Sequence, residues 1–209
     1  AIFCPLDLNC SCSLVSFVFF LDICLNILCM PKVVLITGAS SGIGKAIATF
    51  LVQKGCKVYG TSRNPKHTAE FSFELIALDV LKIDTIASAV AFVIKKEGRL
   101  DVLVNNAGMG ITGPIEDTPT DEMRAVFNTN FFGAIDVMKE VLPQMRKQNS
   151  GTIINVTSIA GYMGLPYRGV YSATKGALEI ITEATSMEVK SFNINLVNIA
   201  PGDFTTNIA

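Results

Sequence analysis

Two patterns of apolar residues alternate along most of the chain. Short continuous runs rich in Val, Ile and Leu predict strands that are buried on both faces. These runs are Lys32–Ile36, Lys57–Thr61, Phe73–Val80, Leu100–Val104, Thr152–Thr157 and Ile194–Ile199. Between them, apolar residues recur at the spacing of an amphipathic helix. The helical segments are one that begins at Ile43 and ends before Gly55, then Ile83–Lys96, Thr120–Lys147 and Ser172–Ser191.

Six strands separated by helix-length segments predict an α/β fold. The expected architecture is a doubly wound parallel sheet, Rossmann-like, with helices on both faces. Right-handed crossovers bring the carboxyl ends of all parallel strands to one edge of the sheet. Because open sheets of this kind bind ligands at that edge, the residues that directly follow each strand define the candidate site.

The first of these junctions is the glycine-rich stretch TGASSGIG, residues 37–44. It joins a predicted strand to the start of a predicted helix. Such a turn leaves backbone N–H groups unpaired at the positive end of the helix dipole, with no Cβ to keep an anion at a distance. The stretch predicts a phosphate-binding turn, and a tight turn that binds nothing is the alternative.

Polar or glycine-containing residues follow the other five strands as well. Arg63 follows the second, Asp79 ends the third, Asn105-Asn106-Ala107-Gly108 follows the fourth, Ser158 the fifth and Pro201-Gly202 the sixth. All of them lie at the same predicted edge as the glycine turn. A random scatter of turn residues would serve both edges, so this bias predicts a single ligand cleft.

A tyrosine and a lysine one helical turn apart, Tyr171 and Lys175, open the last predicted helix. Positions i and i+4 share a helix face, so the phenol and the ammonium are expected to point into the same cleft. A nearby cation favours phenolate and lowers the tyrosine pKa from its usual value of about 10. Tyr171 is therefore a candidate general acid and base, and Ser158 can hydrogen-bond a substrate oxygen. An ordinary surface pair and a turn-capping serine are the alternatives.

Taken in order, these motifs resemble the short-chain dehydrogenase/reductase family. They are TGASSGIG at 37–44, Asp79-Val80, NNAG at 105–108, Asn130, Ser158, Tyr171 with Lys175, and Pro201-Gly202 with Thr206. The resemblance covers about residues 32–209. It implies an oxidoreductase that moves a hydride between a nicotinamide and the carbon of a carbonyl or secondary alcohol.

The resemblance also implies roles for individual residues, and no metal. In the catalytic set of Asn130, Ser158, Tyr171 and Lys175, the tyrosine exchanges the proton, the lysine also holds the nicotinamide ribose, and the asparagine fixes a water of the proton relay. A buried amide at a helix kink is the alternative for Asn130. The implied cofactor-binding set is Gly38, Ser40, Ser41, Gly42, Ile43, Gly44, Arg63, Asp79, Val80, Asn105, Asn106, Ala107, Gly108, Tyr171, Lys175, Pro201, Gly202 and Thr206.

The end of the second strand bears on the choice of cofactor. It reads Gly60-Thr61-Ser62-Arg63-Asn64, with no acidic residue to take a ribose 2′-hydroxyl. Its arginine can pair with a 2′-phosphate. NADP(H) is therefore the preferred cofactor and NAD(H) the alternative. Ser41, where some NADP-dependent relatives carry a second basic residue, adds no support.

The segments expected to border the nicotinamide, 109–111 and 160–167, are largely apolar. They predict a hydrophobic alcohol or ketone as the small-molecule partner. The stretch LPYRGVYSATKGALE is similar to the hydroxysteroid and retinol dehydrogenase branch of the family. Two other functions stay open: a catalytically silent dinucleotide-binding sensor or scaffold, and a membrane-anchored lipid or sterol reductase.

The charge pattern argues against a nucleic-acid surface, because the net charge is −1, with 17 basic and 18 acidic residues and no sustained basic run. Five of the six cysteines lie in residues 1–29, beside the apolar run 14–30. We interpret residues 1–29 as an extension upstream of a start at Met30, with a membrane anchor as the alternative. A zinc site needs better-spaced ligands, and His67 is the single histidine. With only Cys56 in the body of the chain, a cytoplasmic location is expected.

The chain ends at Ala209. Members of the resembled family usually continue past this point with a substrate lid and a seventh strand. We therefore expect residues 30–209 to form a domain that lacks the lid and the last strand, and the full-length protein to be a homodimer or homotetramer.

Overall fold

The computed structural model describes residues 31–65 and 70–202, so the expectations for residues 1–29, Met30, His67 and Thr206 lie outside the described residues. The strands are β1 (Val33–Ile36), β2 (Lys57–Ser62), β3 (Glu74–Ala77), β4 (Val102–Asn105), β5 (Gly151–Val156) and β6 (Ile194–Ile199). The α-helices are α1 (Gly42–Gln53), α2 (Ile83–Glu97), α3 (Thr120–Phe127), α4 (Gly133–Gln148) and α5 (Gly169–Val189). Within the described ranges, no helix is both long and apolar enough to cross a membrane.

The six strands are parallel and pair in the order β3-β2-β1-β4-β5-β6. Strands are added outward from β1 in one direction and outward from β4 in the other. The register pairs Ile36 of β1 with Gly60 of β2 and with Val104 of β4. The carboxyl ends of the central strands therefore lie side by side at the point where the order reverses, which confirms the predicted doubly wound parallel sheet.

Helices cover both faces of the sheet, as predicted, and β1 is buried on both sides. Val33 and Leu35 belong to an apolar cluster that also contains residues of α2, α4 and the end of α5. Val34 and Ile36 point to the opposite face, because successive residues of a strand alternate. The buried residues of α1 lie outside that cluster. Two-sided burial is the reason that β1 reads as an uninterrupted apolar run.

The third strand is shorter than the predicted Phe73–Val80, because the chain turns away at Asp79. The carboxylate Oδ1 of Asp79 accepts a hydrogen bond from the Leu81 N–H at 3.1 Å, and the Asp79 N–H donates to Thr85 Oγ1 at 3.0 Å. These bonds form a turn that leads into α2. The apolar pattern predicts that the strand continues to Val80, but the side-chain hydrogen bonds of Asp79 and Thr85 form a turn instead.

The predicted helix Thr120–Lys147 is not one regular helix. A π-helical turn, Asn128–Phe132, separates α3 from α4. The wider turn carries Asn130, whose side chain is buried and hydrogen-bonded to the backbone of Met109. A π turn inserts an extra residue into a helix and is frequent at functional sites. The sequence-based alternative of a buried amide at a helix kink describes this position.

Replacing Gly44 by Ala tests how closely the glycine turn packs on the turn after β4. Gly44 is buried in the first turn of α1, and an added Cβ would overlap the Gly38 carbonyl oxygen and the Asn106 side-chain amide. We expect the free energy of unfolding to fall by about 1–3 kcal/mol, because backbone has to move to admit the methyl group. Urea unfolding measures the change. Gly164→Ala is the matched control, since its Cβ would meet no atom within 4 Å. Equal midpoints for wild type and Gly44→Ala would contradict this packing.

Candidate active site

The turn between β1 and α1 leaves the start of α1 without a side-chain cap. Gly38 and Gly42 have φ angles of 66° and 53°, which only glycine adopts freely. Ser41 stands at the N-cap of α1 with extended backbone, yet its side chain makes no capping hydrogen bond, and no acidic residue lies in the first turn. Ser40, Ser41 and Gly42 are exposed and Ile43 is half-buried. The positive end of α1 is thus open to an anion.

The turn after β4 is hydrogen-bonded to the glycine turn. The N–H groups of Asn106 and Ala107 both donate to Thr37 Oγ1, at 2.9 and 3.0 Å. The Asn106 amide donates in return to the carbonyl oxygens of Thr37 and Gly38, at 3.0 and 3.1 Å. Residues 37–38 and 105–108 therefore form one unit at the switch point of the sheet.

Asn105 occupies a different environment from the rest of this turn. Its side chain is buried, and its amide donates to the Ala134 carbonyl at 3.1 Å and to Asn155 Oδ1 at 2.9 Å. Asn155 in turn donates to Thr182 Oγ1 at 2.8 Å. The Asn105 side chain thus joins β4, β5, α4 and α5 inside the domain, and its membership of the cofactor-binding set stays a prediction.

The residues that follow β2 include an exposed arginine, Arg63. Arg63 makes no ion pair with another described residue. The Ala39 N–H donates to the Thr61 carbonyl at 2.9 Å, which joins the glycine turn to β2. Asp79 uses one carboxylate oxygen in its own turn, and Val80 contacts the start of α4 at Gly133. Residues 61–64 contain no carboxylate.

Ser158, Tyr171 and Lys175 meet between the end of β5 and the first turns of α5. Ser158 precedes a short 3-10 turn, Ile159–Gly161, and accepts a hydrogen bond from the Ala160 N–H at 3.2 Å. Lys175 is 5% exposed, and its Nζ donates to the Val156 carbonyl at 2.8 Å and lies 5.8 Å from the centre of the Tyr171 ring. The phenol and the ammonium thus share a helix face, as the i, i+4 spacing predicts.

The electrostatics of this pair differ from the sequence-based expectation. Burial raises the pKa of Tyr171, and a hydrogen bond from Ser158 and the charge of Arg168 lower it to a smaller extent. Burial lowers the pKa of Lys175 to about 8, and the Glu179 carboxylate raises it. The expectation that Lys175 brings the phenol pKa below its usual value is therefore wrong for this arrangement, because desolvation of the phenol outweighs the groups that favour phenolate.

Asn130 connects α5 to the turn after β4. Its Oδ1 accepts from the Met109 N–H at 2.8 Å, and its amide donates to the Met109 carbonyl at 2.9 Å and to Thr174 Oγ1 at 3.1 Å. Thr174 donates to the Tyr171 carbonyl at 2.7 Å. The Asn130 side chain thereby holds β4, the π turn and α5 together, and its part in a proton relay stays a prediction.

Pro201 and Gly202 end the described part of the chain at the same edge of the sheet. The Pro201 carbonyl accepts from the Ile159 N–H at 3.1 Å, which places this segment beside the turn that carries Ser158. The edge that the sequence predicted as a single cleft thus brings together residues from the ends of β1, β2, β4, β5 and β6.

The structure contains an apolar pocket of about 320 Å³, and part of its lining comes from residues 165–170, which directly precede Tyr171 in the chain. Its wall comes from two loops that the Gly113 N–H joins by donating to the Tyr167 carbonyl at 2.8 Å. The lining residues are Ile111, Gly113, Pro114, Ile115, Glu116, Thr118, Leu165, Tyr167, Gly169 and Val170. Sequence reasoning anticipated Ile111, Leu165 and Tyr167 but missed the wall formed by residues 113–118. The Gly113-Pro114 turn signal is visible in the sequence, but the hydrogen bond that joins this turn to Tyr167 is a tertiary contact.

The buried lysine predicts a specific dependence of stability on pH. The ordinary lysine pKa is 10.5, and burial lowers it to about 8 in the fold. Between these values the unfolded chain binds more protons at this position than the folded chain, so the contribution of Lys175 to stability rises with pH and is most unfavourable below pH 8. We expect Lys175→Met to raise the free energy of unfolding at pH 7 by about 1–3 kcal/mol and to remove that rise.

Urea unfolding at several pH values from 7 to about 10 measures this difference between wild type and variant. The matched control is Lys139→Met, because the Lys139 side chain is 70% exposed. Parallel pH profiles for wild type and Lys175→Met would show that the buried ammonium makes no such contribution.

Comparison with known proteins places the chain among oxidoreductases. A family model described as short chain dehydrogenase matches residues 32–209. The chain is 47% identical over 176 residues to the 3-ketodihydrosphingosine reductase of Bacteroides thetaiotaomicron. The aligned region covers 84% of this chain and 65% of that protein. The chain is also 37% identical over 189 residues to retinol dehydrogenase 8 of Homo sapiens, with 84% and 60% covered. The chain thus spans less than two thirds of the length of these relatives.

Solved structures agree with this family and include both nicotinamide dinucleotides. The NADP-bound structure of ElxO gives a TM-score of 0.82 at 34% identity, covering 85% of this chain and 76% of that chain. The NAD+-bound structure of xylitol dehydrogenase gives a TM-score of 0.78 at 32% identity, covering 82% and 70%. With a family model matched over residues 32–209 and its sequence motifs gathered at one edge of a doubly wound sheet, the chain belongs to the short-chain dehydrogenase family.

Proposed function

We propose that this chain is the dinucleotide-binding and catalytic part of an NADP(H)-dependent reductase for hydrophobic ketones. The observation that carries the proposal is the meeting of Ser158, Tyr171 and Lys175 at the sheet edge that also carries the uncapped glycine turn. Residues 165–170, directly before Tyr171, line an apolar pocket. An anion seat, a proton donor and an apolar substrate wall are the three components that such a reaction needs. They come from segments that are distant in the chain, residues 37–44, residues 158–175 and residues 111–118.

The described residues fit a dinucleotide. The glycine turn offers N–H groups of α1 to a pyrophosphate, and the absence of a Cβ at Gly44 makes room for the turn after β4. We propose that residues 105–108, with Asp79 and Val80, line the adenosine side, and that Lys175 holds the nicotinamide ribose. When bound, the nicotinamide supplies or accepts the hydride.

Arg63 supports NADP(H) over NAD(H). Its guanidinium is exposed at the end of β2 with no ion pair among the described residues, and no carboxylate stands in residues 61–64 to repel a 2′-phosphate. Arginine pairs with phosphate through two parallel hydrogen bonds. The similarity to the NADP-bound structure of ElxO is consistent with this choice.

Tyr171 acts as the general acid toward the substrate carbonyl in this proposal. Burial raises the phenol pKa, so the group carries its proton at neutral pH and is ready to donate it. Ser158 donates a hydrogen bond to the same substrate oxygen, and the Lys175 ammonium favours negative charge that develops there. The proposed direction is reduction of the ketone, as in the reductase to which the chain is 47% identical.

The pocket before Tyr171 suggests the substrate class. Its lining is dominated by apolar side chains, among them Ile111, Pro114 and Val170. Pockets of this type bind the apolar part of a ligand and use few polar groups for orientation. The relative with 47% identity is named for a long-chain ketone, 3-ketodihydrosphingosine. We therefore propose a ketone attached to an alkyl chain as the substrate.

Turnover with a matched pair of tyrosine variants tests the catalytic proposal. The protein is assayed for oxidation of NADPH, followed by its absorbance, with 3-ketodihydrosphingosine and with shorter 2-alkanones. Tyr171→Phe is expected to lower kcat by about 10²–10⁴-fold while NADPH binding is retained, because only the transferable proton is lost.

Tyr59→Phe is the control for this experiment, because Tyr59 donates its hydroxyl to Glu97 at 2.6 Å and takes no part in the cleft. Retention of wild-type kcat by Tyr171→Phe would remove the phenol from the mechanism. Binding of NADPH without reduction of any ketone by the wild type would favour the silent sensor instead.

Cofactor preference is tested separately by replacing Arg63 with Ala. We expect the Kd for NADPH to rise at least about tenfold, since the lost charge-assisted contact is worth roughly 1.5–3 kcal/mol, and the Kd for NADH to change little. Fluorescence titration of both nucleotides measures this. Arg124→Ala removes another exposed arginine, on α3, and should change neither Kd. An unchanged NADPH affinity in Arg63→Ala would reject the arginine assignment.

A further inference from the structure

Glu179 lies on the same face of α5 as the tyrosine and lysine of the candidate site. Positions 171, 175 and 179 are spaced by four residues, so their side chains follow one another along the helix. Glu179 is half-buried, although most carboxylates on helices are solvated. The candidate mechanism uses the first two residues of this face and leaves the third without a role.

The surroundings of Glu179 hold its carboxylate in place without neutralising it. One oxygen, Oε1, is buried and has no hydrogen-bond partner. Tyr162, in the segment after β5, hydrogen-bonds the carboxylate; burial raises the pKa of that phenol, and the charge of Glu179 and the hydrogen bond raise it further. The Glu179 carbonyl accepts from the Asn198 amide of β6 at 3.3 Å. No ion pair within 4.0 Å engages Glu179 among the described residues.

Lys175 is the cation that this charge can reach. Its ammonium is buried, and the bond to the Val156 carbonyl is the single hydrogen bond that it makes among the described residues. Tyr171 is a second titratable group near it, with its ring centre 5.8 Å from the ammonium. Arg168, at the N-cap of α5, acts on Tyr171, and Tyr162 hydrogen-bonds the Glu179 carboxylate. The elements packed against Lys175 from β4, β5 and the π turn contribute only neutral groups, such as Gly108 and Asn130.

A buried ammonium without a counter-charge tends to lose its proton. The Glu179 carboxylate is the group that opposes this tendency at Lys175. A carboxylate one turn away acts through space and leaves the ammonium bonded to the Val156 carbonyl at the end of β5, whereas a direct ion pair would draw it toward Glu179. This arrangement keeps the charge available where the proposed chemistry uses it.

We propose that Glu179 is a positioning residue for catalysis, whose buried carboxylate keeps the Lys175 side chain in its ammonium form. The proposal rests on the proposed reductase function for its effect on rate. Its electrostatic part concerns the chain itself and is independent of turnover.

The electrostatic part is tested by NMR titration of the protein with 13C-labelled lysine, in which the Cε signal of Lys175 is assigned through Lys175→Arg. The wild-type midpoint is expected at a pH of about 8. Glu179→Gln should move it downward by at least about half a pH unit. Glu183→Gln is the matched control, because Glu183 lies one turn further along α5 and is exposed, and it should leave the midpoint unchanged.

Glu179→Asp separates charge from packing, because it keeps the carboxylate and shortens the side chain. A midpoint close to wild type in this variant, together with a lowered one in Glu179→Gln, supports the proposal. Equal lowering in both variants, or an unchanged midpoint in Glu179→Gln, overturns it. If Glu179→Gln does not fold, Glu179→Ala takes its place as the variant without the carboxylate, with the same expected lowering of the midpoint.

The catalytic part is read from the dependence of kcat on pH. The alkaline limb should move to lower pH in Glu179→Gln by the same amount as the lysine midpoint, with little change of KM for the ketone. If the titration midpoint of Lys175 moves in Glu179→Gln but the alkaline limb of the kcat profile does not, the positioning role is overturned. Absence of ketone reduction by the wild type rejects the proposed function, and the NMR titration then still decides whether Glu179 controls Lys175.

Discussion

The hydrogen-bonded junction between β1 and β4 is the constraint on which the rest of the cleft depends. Thr37 accepts two backbone N–H groups from the turn after β4, and Asn106 returns two bonds to the backbone of Thr37 and Gly38. Breaking this exchange would leave buried donors and acceptors unpaired, which is unfavourable for each group. The junction therefore holds the open start of α1 at a fixed distance from Gly108, whose backbone borders Lys175.

Lys175 shows how the candidate site departs from what stability alone would select. An ammonium that is 5% exposed, with one carbonyl as its hydrogen-bond partner among the described residues, is an unfavourable element of a core. Groups with pKa values shifted by burial in a cleft are typical of functional sites. The same burial that lowers the lysine pKa raises that of Tyr171, so one desolvated environment keeps a proton on the phenol and makes the ammonium easier to deprotonate.

Buried amides fix the helices that carry these groups. Asn130 links the turn after β4 to Thr174 of α5, and Asn155 links β5 to Thr182, two turns further along the same helix. Two attachments on one helix restrain both its position and its rotation. Because hydrogen bonds require specific directions, polar contacts define this orientation more narrowly than apolar packing can. The face with Tyr171 and Lys175 is therefore held toward Ser158 and the end of β5.

The amino-acid sequence by itself determined the order of strands and helices, the sheet edge that carries the ligand-binding turns, and the spacing of Tyr171 and Lys175 on one helix face. These features depend on local periodicity and on residues that are neighbours in the chain. Only the tertiary structure decided that Asn105 faces the interior, that a π turn presents Asn130, that residues 113–118 wall a pocket, and that the Tyr171 pKa moves upward. Each of these depends on contact with atoms distant in the chain, or on exclusion of water, and neither exists before the chain has packed.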